Sequence, residues 1–172
     1  MTRQSMPIAV QIGAGLVGGY LGTKIMEPAS AKLYDLESDA DRKREDDVRP
    51  GSPSSIAARK TAARLGIALS DERAERVGTL VHYGLGAFGG ALYAVLRRTT
   101  GMHPIAAGLV TGAAISLVFD EGLTPALGFS APNDRYPAVT HARGFVAHLV
   151  YGVSLAVAAE ALAATWDVVN RR

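Results

Sequence analysis

The chain has 172 residues, a formal charge of +2 and no cysteine. That length suits one compact domain, the small net charge gives no field that would draw in nucleic acid, and the missing cysteines remove disulfides, thiolate metal sites and cysteine nucleophiles. The charge is segregated: 11 of the 16 acids lie between Glu27 and Glu75, and alanine, glycine, valine and leucine fill most of the rest.

Four apolar stretches follow from that segregation. Residues 7–26 carry only Gln11 and Lys24 as strongly polar side chains. Residues 77–96 are interrupted by His82, residues 104–119 carry no charge, and residues 144–166 carry His148 and Glu160. A helix rises about 1.5 Å per residue and a bilayer's hydrocarbon core is roughly 30 Å thick. The first, second and fourth stretches are therefore long enough to span, and the third runs into its acids at Asp120 and Glu121, giving a span of 104–121. Soluble helices carry a polar stripe, and these stretches hold too few polar side chains to make one. The pattern predicts an all-α, four-helix integral membrane bundle surrounded by lipid. Arg3, the first apolar run and Ala29-Ser30-Ala31 also resemble a cleavable signal peptide, but Lys24 and Glu27 sit awkwardly before such a cut.

Between the first two spans, residues 30–75 form a polar segment with short helices. Pro28 is expected to close span one. Tyr34 to Arg49 is a mixed-charge run that predicts a solvated stretch, helical at most in part. Pro50-Gly51-Ser52-Pro53 breaks it, and Ser54 or Ser55 can cap a short helix to about Leu65. Arg59, Lys60 and Arg64 on that helix can touch anionic headgroups. Ser70-Asp71-Glu72 is an N-terminal cap with acids in its first turn, so that helix should run unbroken into span two. By count, the basic residues outside the spans favour the side carrying the long loops as the cytoplasmic one, whereas the compact Arg97-Arg98 and Arg171-Arg172 pairs set directly at span ends favour the other, so orientation stays open.

Small residues recur at helical spacing: Gly15, Gly18, Gly19 and Gly22 in span one, Gly86 and Gly90 in span two, Gly108 and Gly112 in span three. Glycine four apart lets helix backbones approach closely where lipid gives no hydrophobic gain, within the chain or between copies in a homo-oligomer.

Spans one and three also look like two copies of one unit. Ala-Gly-Leu-Val-x-Gly begins at Ala14 and again at Ala107, and an acid stands at the same distance from each start, Glu27 and Asp120. Span two has His82 four residues after Gly78, and span four has His148 four residues after Gly144; Arg97-Arg98 and Arg171-Arg172 follow. Two helix hairpins in the same orientation would be related by an axis along the membrane normal. Glu27, His82, Asp120 and His148 then fall on one side of the membrane at similar depth, with Glu121 beside Asp120. Ionisable groups inside a membrane usually face the bundle interior. Such a cluster can relay protons, since histidine titrates near neutrality, or hold a divalent metal; two histidines alone can be axial haem ligands. Glu160 stands apart, toward the Arg97 side. No nucleophile motif or P-loop is present, and Gly13-x-Gly15-x-x-Gly18 lacks the preceding strand a dinucleotide fingerprint needs, so the reading is of a non-enzymatic protein.

Lys24, Glu27 and Pro28 at the end of span one, the charged loop, His82 near the start of span two and Gly89-Gly90-x-x-Tyr93 further on resemble the YagU-type bacterial inner-membrane proteins. The resemblance implies a multi-pass protein of the bacterial inner membrane with a link to acid stress, and it adds weight to Lys24 and Glu27. Proton or small-ion handling by Glu27, His82, Asp120, Glu121, His148 and Lys24 is the leading expectation. The alternatives are a structural or interaction protein assembling through its glycine faces, and a haem protein ligated by His82 and His148.

Overall fold

The computed structural model describes residues 6–169. Arg3 and the Arg171-Arg172 pair, used in the loop tally and in the repeat, lie outside the described residues. Among those residues there is no strand. The helices are α1 (Ile8–Asp35), α2 (Asp39–Val48), α3 (Pro53–Arg64), α4 (Asp71–Thr100), α5 (Pro104–Ile115), a π-helical stretch Ser116–Leu123, α6 (Thr124–Ala126) and α7 (Ala138–Val169). Ile8–Asp35, Asp71–Thr100, Pro104–Ala126 and Ala138–Trp166 are long and apolar enough to cross a membrane.

The local causes are readable. Ser70 accepts a hydrogen bond from the Arg73 N–H with Asp71 and Glu72 in the first turn, so α4 starts outside the apolar stretch and runs through it unbroken. Gly101 ends α4 in the left-handed conformation, which turns the chain sharply toward Pro104 at the start of α5. α1 packs against both α4 and α7, α5 packs against α7, and α3 lies on α4. Pairing runs antiparallel, because Gly15 meets Gly90 and Gly19 meets Gly86, while Gly108 meets Gly152 and Gly112 meets His148.

At Gly15, Gly19, Gly90, Gly108 and Gly112 a Cβ would fall inside the facing backbone, and at Gly86 it would strike the Thr23 hydroxyl. Gly18 and Gly22 face α7, where a Cβ would stand 2.9 Å from the Leu155 and Tyr151 carbonyl oxygens. The glycine faces are thus filled from within the chain. Large apolar side chains point the other way: Leu16, Val17, Leu21 and Ile25 on α1, Phe88, Leu92 and Val95 on α4, and Leu117 and Val118 after α5 are all exposed. An interior of small residues under a coat of large apolar ones suits lipid; a soluble monomer rarely shows so much exposed apolar surface. The protein is a multi-pass membrane bundle.

The structure corrects several boundaries. Pro28 does not close span one: it lies inside α1, which continues to Asp35. The third span does not stop at its acids, but winds through a π turn and on to Ala126. α3 is preceded by Ser52 with Pro53 at its first position, so neither Ser54 nor Ser55 is the cap. The fourth helix begins at Ala138, before Arg143.

The largest correction concerns the mixed-charge run, which is no solvated tether. It holds α2, and Glu45 on α2 is fully buried. Arg143 of α7 donates to Glu45 at 2.6 and 2.8 Å and to Glu37 at 2.5 Å. Thr140 donates to Glu45 at 2.7 Å, Arg49 also pairs with Glu45, and Arg143 lies 5.0 Å over the Tyr34 ring. The segment is therefore folded down as a cap. α3 extends it: Ser55 packs on Gly78, Arg59 pairs with Asp71 at 2.7 Å and Lys60 donates to the Gly128 carbonyl at 2.7 Å. Two of the three basic residues read as headgroup contacts are bound within the protein.

Candidate functional site

Beneath the cap lies a vestibule of about 760 Å³, roofed by Arg49 and residues 51–55 and floored by the ends of the membrane helices. A smaller cavity of about 110 Å³ continues inward from it, with Met26, His82, Leu85, Phe119, Asp120 and His148 shared by both. Tyr151 and Thr23 stand at the inner end, and the Tyr151 hydroxyl donates to the Gly86 carbonyl at 2.6 Å. Counting from Ile8, Glu27 lies about 29 Å along α1, close to the thickness of a hydrocarbon core. The vestibule floor is thus near one membrane face.

Three carboxylate–imidazole pairs face this space. Glu27 of α1 lies 3.5 Å from His82 Nε2 of α4 and accepts from the Tyr83 hydroxyl at 2.6 and 2.7 Å. Asp120 of the π turn lies 3.2 Å from His148 Nδ1 of α7. Glu121, the next residue, lies 2.8 Å from His141 Nδ1, on the same face of α7 as His148 and about two turns before it. The sequence-derived group therefore comes together as separate pairs around one cavity. Lys24 remains outside it, with its ammonium 4.4 Å over the Tyr83 ring.

The π turn is what lets two consecutive acids meet two histidines on the same helix. Residues per turn increase there, so side chains after Ser116 are rotated relative to an unbroken α-helix. Pro125 has no N–H to offer the Glu121 carbonyl four residues earlier. The Asn133 amide donates to that carbonyl instead, at 2.9 Å. The loop after the third span is thereby tied to the acid-bearing turn.

His148 Nδ1 also lies 3.0 Å from the Gly144 carbonyl oxygen. A carbonyl only accepts, so that nitrogen carries the proton, and in the neutral ring Nε2 is left with a lone pair. Among the described residues no three His, Asp or Glu side chains converge as a metal site would require. The inner cavity has room for a few waters. It is smaller than the roughly 300 Å³ and upward of sites enclosing cofactor-sized ligands, so a haem between His82 and His148 would need the helices to part.

His141, Tyr83 and Tyr151 were not singled out in the sequence. The spacing of seven between His141 and His148 was the signal for the first. Tyr83 and Tyr151 carry no such signal, since an aromatic residue in an apolar stretch reads as packing.

The opposite end of the bundle has a different polar group. Glu160 accepts from Tyr93 at 2.9 Å and lies 3.3 Å from Arg97 Nε, while Arg97 also donates to the Met102 carbonyl. Between the two ends lie the buried side chains of Tyr93, Leu155, Ala156 and Ala159 and the Gly15–Gly90 contact. No family model, curated protein or solved structure matches this chain.

Proposed function

We propose that the protein handles protons or small cations at the vestibule, in a bacterial inner membrane, without catalysing a covalent reaction. The observation that carries this reading is the set of three carboxylate–imidazole pairs, from α1, α4, α7 and the π turn, opening onto one cavity at one membrane face. Ionisable groups at membrane depth are costly, and a fold that gathers six of them around one cavity points to a use for them. Histidine supplies groups that change charge in the physiological range. The resemblance to YagU-type proteins, with its link to acid stress, agrees with a proton-responsive role. The recurrence of an acid–histidine pair in each helix hairpin agrees with an internal repeat.

From Tyr151 to Glu160 the chain runs nine residues along α7, about 14 Å of packed helix. Transfer across the bundle therefore needs this packed stretch to rearrange. The assay is dissipation of a proton gradient in liposomes holding the full-length protein. Wild type should dissipate it faster than empty liposomes, and Asp120→Asn with His148→Gln should lower that rate at least about tenfold, a transition-state difference of 1.4 kcal/mol. Wild-type rates equal to those of empty liposomes, or an unchanged rate in the double variant, would refute the reading.

The interaction alternative gains less. Its glycine faces are occupied inside the chain, and of its charged segment Glu37 and Glu45 are held by Arg143 while Asp39, Lys43 and Asp47 stay exposed.

A further inference from the structure

Glu121 and His141 differ from the other two pairs in how many acceptors the ring faces. His141 Nδ1 lies 2.8 Å from the Glu121 carboxylate, and Nε2 lies 3.1 Å from the Asn133 carbonyl oxygen. The carbonyl only accepts, so Nε2 carries a proton. A second proton is then needed on the other side of the ring. It sits either on Nδ1, giving an imidazolium beside a carboxylate, or on Glu121, giving an acid that donates to a neutral ring. Either way the pair holds two protons where an ordinary neutral histidine beside a carboxylate holds one. His148 differs, because Nδ1–H serves both Gly144 and Asp120 and no second proton is required.

We infer that Glu121–His141 is a proton-binding site whose bound proton locks the π turn to the loop and to the start of α7. The lock has three strands: Glu121 to His141, His141 to the Asn133 carbonyl, and the Asn133 amide back to the Glu121 carbonyl. When the extra proton leaves, one proton remains between two acceptors on opposite sides of the ring. One of the two ring bonds is then lost, and the loop carrying Asn133 loses a tie to the vestibule floor. Besides Glu121, the titratable Tyr136 faces His141, with its ring edge-on at 6.2 Å. Around the vestibule stand the acids Glu27, Glu75 and Asp120 and the cations Arg49 and Arg143, with His82 and His148. The two arginines are engaged by Glu45 and Glu37.

The site does not depend on transport, and neither readout that tests it measures flux. The first is magnetic resonance of the full-length protein in bilayers, isotope-labelled at its histidine nitrogens and assigned with His141→Gln and His148→Gln. At neutral pH, His141 should be protonated at Nε2 and His148 at Nδ1. The second uses the absence of cysteine: Ser130→Cys places a single fluorophore on the loop. Raising the pH from roughly 5 to 9, across the range where histidine titrates, should loosen the loop in that background. Adding Glu121→Gln should abolish the response, because the glutamine amide donates to Nδ1 and satisfies both bonds without an extra proton. His141 protonated on Nδ1 alone, a loop with no pH response, or an equal response with Glu121→Gln would each overturn the inference.

Discussion

The two ends of the bundle solve the same problem, an acid at the edge of a membrane, with different partners. At the vestibule end Glu27, Asp120 and Glu121 each face a histidine. At the other end Glu160 faces Arg97 and Tyr93. An arginine stays charged at any physiological pH, whereas an imidazole gains and loses its charge within it. The arginine end is therefore a fixed clamp: Arg97 also ties the α4–α5 turn through the Met102 carbonyl, and Arg98 donates to the Met6 carbonyl at 3.1 Å. The histidine end is the one that the proposed role would make switchable. The cap belongs with the fixed end, since Arg143 holds Glu37 and Glu45 above a vestibule lined by the three carboxylate–imidazole pairs.

The strongest way to break this contrast is to remove a fixed cation. Arg143 and its two acids are almost wholly buried, at 9%, 3% and 0% side-chain exposure. Arg143→Met would leave two carboxylates without that partner in the protein interior, and removing one member of a buried ion pair typically costs about 3–5 kcal/mol. The expected result is release of the cap: residues 36–52 become sensitive to protease while the membrane helices stay folded. A cap that remains protected in the variant would show that α3 on α4 suffices to hold it.

Next in size is the packing that separates the two ends. Gly90→Ala puts a Cβ into the Gly15 carbonyl, a backbone atom that cannot step aside. Overpacking of this kind costs about 1–3 kcal/mol, read as a lower unfolding midpoint in detergent. Gly84→Ala, where a Cβ meets nothing within 4 Å, is the matched control and should be close to neutral. At the clamp, Glu160→Gln keeps a hydrogen-bond acceptor for Tyr93 but withdraws the charge from Arg97, whose side chain is 13% exposed. The expected loss is about 1.5–3 kcal/mol, the range for a hydrogen bond to a charged group. It should be the same at pH 5 and pH 8, the conditions that bracket histidine titration. A pH-dependent loss would contradict the assignment of that end as fixed.

The bundle was legible in the sequence because lipid imposes a coarse constraint: long apolar helices, with small residues where backbones meet. Depth along each helix was legible as well, from residue counts alone, which is why His82 and His148 could be matched to Glu27 and Asp120. Three things were not. Pro28 reads as a stop, yet a proline costs one hydrogen bond, and a helix already held by α4 and α7 on both sides survives that loss. The π turn has no sequence signature beyond Gly122 and Pro125, and without it Glu121 has no route to His141. The cap was hidden because charge runs are usually solvated; Glu45 is buried only because Arg143, 98 residues later, arrives beside it. Such a pairing depends on tertiary geometry that local patterns do not encode.

The smallest expected effect isolates one hydroxyl within the switchable end. Tyr83→Phe keeps the ring that Lys24 lies over and that stacks obliquely with Tyr20 at 5.3 Å, and removes the hydroxyl that donates to Glu27 and also interacts with the Lys24 ammonium. Glu27 is 41% exposed, so water replaces part of the lost bond and the cost should sit near the low end of the range for hydrogen bonds, about 0.5 kcal/mol. That cost is read as a lower unfolding midpoint in detergent, with Gly84→Ala, where a Cβ meets nothing within 4 Å, as the reference. A loss of about 3 kcal/mol or more, the size expected when a buried polar group is left unsatisfied, would mean that water does not reach Glu27 once the hydroxyl is gone, and the first of the three pairs would then belong with the closed, fixed end of the molecule.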